Sequence, residues 1–103
     1  MVHLNLIRQV VSGSKLPYLP FLCDMAGKAL VPTGSIVKGH VGQYQMSFDF
    51  TDLIQRRMYF GVYEQPDTQL LQKVLRPGDI FLDIGANVGY YSLVASQLVG
   101  DEG

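Results

Sequence analysis

The stretch Asp79-Ile80-Phe81-Leu82-Asp83-Ile84-Gly85-Ala86-Asn87-Val88-Gly89-Tyr90-Tyr91 decides the reading of this chain. Ile80 to Ile84 is an apolar run broken only by Asp83, the pattern of a strand buried on both faces in a parallel sheet. Gly85 to Gly89 is a glycine-rich turn. Tyr91, Val94, Ala95, Leu98 and Val99 then fall on one helical stripe, and Gly100 ends it. Strand, turn and helix in this order open a doubly wound α/β fold. The expected class is therefore α/β.

The turn carries the chemistry. Gly85 lets the backbone bend sharply out of the strand and pass close to a ligand. Asn87 tolerates a left-handed backbone, and Gly89 lets the helix start tight against the strand. Asp83 places a carboxylate at the strand's carboxyl end, where open α/β sheets bind ligands. The dinucleotide fingerprint requires glycine at relative positions 1, 3 and 6. Gly85, Asn87 and Tyr90 stand there, so that reading fails. Gly34 and Gly39 have the spacing of a phosphate loop, but His40-Val41 follow where Lys-Ser/Thr is required. An acid ahead of Gly-x-Asn-x-Gly suits a cationic ligand, such as the sulfonium and amino groups of S-adenosylmethionine. A glycine-rich turn with no ligand is the plain alternative.

Upstream, Pro66, Asp67 and Thr68 open a helix whose Leu70, Leu71, Val74 and Leu75 share a face, and Arg76-Pro77-Gly78-Asp79 stops it. Met58 to Tyr63 reads as extended or turn structure. Thr51 or Asp52 caps a short helix through Arg57. Tyr44, Met46, Phe48 and Phe50 alternate with polar residues as a one-face strand. Before that, Leu4, Ile7, Val10 and Val11 predict a helix over 2–11, ended by Ser12-Gly13-Ser14. Pro17 and Pro20 break the next apolar stretch, and a second helix is expected over 24–30. Ser35 to Lys38 is expected as a short strand between glycine turns.

Around this core the composition is that of a globular protein: 103 residues, 48% hydrophobic, 17% charged, net charge −1. The charge disfavours nucleic acid as a partner. No apolar run approaches a membrane span, and the N-terminus lacks a signal-peptide pattern, so a cytoplasmic location is expected. One cysteine, Cys23, cannot form an internal disulfide and reads as a small buried residue. His3 and His40 have no ligand-spaced neighbours, and no metal site is expected. Arg56-Arg57 reads as a solvated helix end. Glu64 either faces the ligand or serves a helix dipole. Tyr90 and Tyr91 either pack on a cofactor or, as the stripe suggests for Tyr91, belong to the core.

Phe81 to Ser92 resembles motif I of the FkbM-type S-adenosylmethionine-dependent methyltransferases. The preceding Tyr59-Phe60-Gly61-Val62-Tyr63-Glu64 and Arg76-Pro77-Gly78-Asp79 fit the same family in order, so the likeness covers residues 46–103. It implies the N-terminal part of a class I, Rossmann-like methyltransferase fold, ending after the first strand-turn-helix unit. Residues 1–45 would be a small α+β extension, helical and then stranded. It implies O-methylation of a small molecule or sugar, with S-adenosyl-L-methionine as cofactor. Asp83, Gly85, Ala86, Asn87 and Gly89 would line the methionine end, with Tyr63 and Glu64 nearby. No residue is singled out as catalytic. The strand at 80–84 lacks a returning neighbour in the sequence, which predicts either a fragment of a larger enzyme or a non-catalytic chain that completes its sheet with a partner.

Overall fold

The computed structural model describes residues 2–11 and 14–103. The element order is α1 (Val2–Val11), α2 (Leu19–Leu30), β1 (Ile36–Val41), β2 (Tyr44–Asp49), α3 (Leu53–Phe60), α4 (Gln65–Val74) and α5 (Tyr90–Val99). Helices and a two-stranded β1–β2 sheet make this an α/β structure. Two residues, Gly42 and Gln43, join the antiparallel strands. Gly42 has φ 58° while Gln43 keeps negative φ, the II′ pattern that matches strand twist. Contacts divide the chain into two units, Met1–His40 with Gln45–Tyr63, and Val41–Tyr44 with Glu64–Gly103. The 45/46 boundary drawn from the sequence falls inside β2.

The first unit is built on aromatic rings. Tyr59 is buried, and its ring meets Phe48, Phe50 and Phe60 edge-on at 5.7, 5.1 and 5.1 Å between centroids. Such tilted pairs satisfy the ring quadrupoles while removing large apolar area from water. Helices α1 and α2 pack on α3. Arg8 of α1 lies over the Tyr59 ring at 5.5 Å and donates to the His40 carbonyl at 2.7 Å, while the Tyr59 hydroxyl donates to Asn5 Oδ1 at 3.0 Å. Asp52 caps α3 as expected, accepting from the Gln55 N–H at 2.8 Å.

Several expectations in this unit are corrected. Met58, Tyr59 and Phe60 are helical, not extended. The helix runs on to Gly61, whose left-handed backbone (φ 70°) forms the cap. Pro20 does not break α2 but sits in its first turn, where a missing N–H costs nothing. The helix therefore starts at Leu19, five residues before the expected start. Gly39 lies within β1 and not in a turn. A Cβ there would meet the Tyr59 ring at 2.8 Å and Phe48 at 3.0 Å, so the strand needs glycine for close approach. Arg56 is 3% exposed, not solvated. The 2–11 helix is present, with Leu4 buried but Val10 exposed. Ser12 and Gly13, expected to end it, lie outside the described residues.

In the second unit α4 packs on α5. Val94, Ala95 and Val99 of α5 are buried, as its stripe predicts. Gln97 clamps the hairpin turn: its Oε1 accepts from the Gln43 N–H at 3.0 Å, and its amide donates to the Val41 carbonyl at 3.3 Å. The Arg76–Asp79 turn closes as expected, with the Asp79 N–H on the Arg76 carbonyl at 3.0 Å and Gly78 at φ 88°. The helix between has no buried residue, and its expected apolar face leaves Leu70 and Val74 exposed.

The expected strand at 80–84 does not form. Ile80, Leu82 and Ile84 are 92, 79 and 86% exposed. A strand exists only through ladder hydrogen bonds to a neighbour, and the described residues supply none to this segment. No described helix is long and apolar enough to cross a membrane.

Candidate functional site

The glycine turn has the backbone its sequence requires. Gly85, Asn87 and Gly89 have φ 73°, 54° and 83°, and the Gly89 N–H closes onto the Ala86 carbonyl at 2.8 Å. Three described non-glycine residues have positive φ, and two of them are the candidates Glu64 and Asn87. Such backbone is costly for a side chain and gathers at functional positions. A Cβ built on Gly85 would meet nothing within 4 Å, so the turn is open on that side.

Two carboxylates are tied to the first turn of α5. The Ser92 hydroxyl donates to Asp83 Oδ2 at 2.6 Å, and the Tyr91 hydroxyl donates to Glu64 Oε2. Gly89 is the N-cap of helix α5, and its carbonyl accepts from the Leu93 N–H at 3.0 Å. Its N-terminal end carries partial positive charge, which favours both acids. Tyr90 stacks edge-on with Tyr91 at 5.3 Å and shares a 3.0 Å hydrogen bond with the Thr68 hydroxyl. Burial pushes the Tyr90 phenol above its ordinary value; the Thr68 bond lowers it and the Glu64 charge raises it. Tyr90 therefore stays neutral at neutral pH and packs rather than exchanging protons.

The structure thus brings Glu64, Asp83, Gly85, Ala86, Asn87 and Gly89 into one unit. Tyr63 is half-buried and ends the other unit. Sequence reasoning missed the hydroxyls of Tyr91 and Ser92 as the groups that hold the acids. A stripe analysis sees Tyr91 only as a helix face, and nothing in the spacing of Asp83 and Ser92 marks the pair. A cavity of about 210 Å3 lies between Thr68, Tyr90, Val94 and Gln97; Tyr90 lines it, but Glu64, Asp83 and the Gly85–Gly89 turn do not. The turn itself is an open surface, suited by charge to a cationic group and by its bare backbone to close approach. Comparison with known protein families, characterised proteins and solved structures finds no match.

Proposed function

We propose that this chain carries the cofactor turn of an S-adenosylmethionine-dependent methyltransferase of the FkbM type, with residues 46–103 opening the methyltransferase domain and residues 1–45 extending it. One observation carries the reading. Two carboxylates, Glu64 and Asp83, are anchored by hydroxyl donors around a turn with three positive-φ residues. Glu64 and Asp83 supply the negative charge that a sulfonium and an ammonium group require. Gly85 admits the ligand to the backbone, and Tyr91 and Ser92 fix the direction of the acids. The bound cofactor supplies an activated methyl group for an acceptor oxygen on a small molecule or sugar. The protein's part is to hold donor and acceptor in attack geometry.

Titration calorimetry with S-adenosylmethionine tests this. Saturable binding that Asp83→Asn weakens about tenfold is expected, the order of one charge-assisted contact. No saturable binding, or equal binding by both proteins, overturns it. Gly85→Val is expected to abolish binding while the rest of the chain stays folded, because its φ of 73° disfavours any branched side chain.

A second reading has its own observation. Ile80, Leu82 and Ile84 are exposed, and their segment has no backbone hydrogen-bonded neighbour among the described residues, which favours a non-catalytic chain that completes its sheet with a partner. Light scattering separates the two: a stable monomer that binds the cofactor removes the second reading.

A further inference from the structure

The first unit contains a cavity of about 320 Å3 that the cofactor reading leaves unused. Val31, Pro32 and Phe50 form its apolar wall; Lys28, Thr51 and Arg56 are among its polar lining. Arg56 is the unusual member. Its guanidinium has five N–H donors and is almost fully buried. One nitrogen, Nη1, donates to the Phe50 carbonyl. Its Nε lies 3.8 Å from Asp24 Oδ1, beyond hydrogen-bond reach, and has no hydrogen-bond partner.

Asp24 is shared between two arginines: its Oδ1, which has no hydrogen-bond partner, lies 3.8 Å from Arg56 Nε. Arg57 Nε and Nη2 both reach Asp24 Oδ2, at 3.0 and 2.9 Å. One acid therefore answers two arginines. Lys28 adds a second cation to the cavity lining, which includes no acid. Asp49, bonded to the lining residue Thr51, is held by the Thr51 N–H at 2.9 Å and the Thr51 hydroxyl at 2.7 Å. Two arginines on one acid leave a net positive charge beside the cavity, and the exposed Lys28 adds another, which favours an anion. The volume lies at the small end of the about 300–1,000 Å3 typical of ligand pockets, and the Val31–Pro32–Phe50 wall offers contact to carbon.

We propose that the cavity between Lys28, Phe50 and Arg56 binds a phosphate group, as inorganic phosphate or as a phosphomonoester. Arg56 supplies the planar donors, Lys28 the point charge at the mouth, and Phe50 the surface for an ester's organic part. The site involves none of the residues of the glycine turn, so its fate is independent of the cofactor reading.

Titration calorimetry of the full chain with inorganic phosphate and with phenyl phosphate, at constant ionic strength, tests the proposal. Saturable one-to-one binding is expected, weakened about tenfold by Lys28→Gln and unchanged by Lys73→Gln in the other unit. Tighter binding of phenyl phosphate marks an ester site; equal binding marks a site for the free anion. Lys28 is exposed, so its variant keeps the fold and remains decisive even if Arg56→Gln does not. No saturable heat with either probe, or equal affinity in wild type and Lys28→Gln, overturns the proposal.

Discussion

The aromatic hub around Tyr59 and the mainly aliphatic segment Ile80–Ile84 are both rich in apolar side chains and have opposite fates. Phe48, Tyr59 and Phe60 are buried against one another, whereas Ile80, Leu82 and Ile84 face water. The hub closes because rings pack in any direction that lets edge meet face, and three helices with a hairpin supply those directions. The segment at 80–84 needs more than apolar contact. Its backbone requires a hydrogen-bonded neighbour before its side chains acquire a surface to bury against. Hydrophobicity alone therefore selects the core in one region and fails to do so in the other.

Truncating the hub sharpens this contrast most. Phe48→Ala is expected to cost about 3–5 kcal/mol in urea unfolding, while Leu82→Ala changes stability by no more than about 0.5 kcal/mol. Equal losses would mean that Leu82 is buried in solution and that the contrast is false. Gly39→Val comes next. Its side chain would drive into the Tyr59 ring and Phe48, and a loss of about 1–3 kcal/mol is expected from overpacking. A neutral result would show that the hub yields more easily than its close contacts imply.

Asp52→Ala removes the α3 cap and should cost about 1 kcal/mol, read by the same denaturation. The smallest effect is a pH dependence at Asp49. Its side-chain bond from the Thr51 hydroxyl, then the Thr51 N–H, holds its carboxyl below the usual value. A lowered folded-state pKa contributes stability above the unfolded value, and that contribution is lost as pH falls through the folded one. The stability gap between wild type and Asp49→Asn should thus narrow toward acid. A gap that widens there contradicts the assignment.

Local chemistry was legible in the sequence and tertiary context was not. The Asp52 cap, the Gly85–Gly89 turn and the α5 stripe depend on a few adjacent residues, and each stands where the spacing puts it. Gly39 was misread as a turn because its reason for being glycine is Tyr59, twenty residues away. Pro20 was misread as a breaker because its effect depends on whether it falls in the first turn of a helix or later. Arg56 was misread as solvated because its neighbours Phe50 and Asp24 come from other elements. At the candidate site the backbone of the turn was legible, but the pairing of Glu64, the N-cap of α4, with Tyr91 of α5 has no signature along the chain.

The most direct test of the central claim is amide NMR of the labelled chain titrated with S-adenosylmethionine. Saturable shifts at Gly85, Asn87 and Gly89, abolished together by Glu64→Gln with Asp83→Asn, are predicted. Spectra that do not change, or shifts confined to residues outside the turn, would contradict the assignment of this loop as the cofactor site.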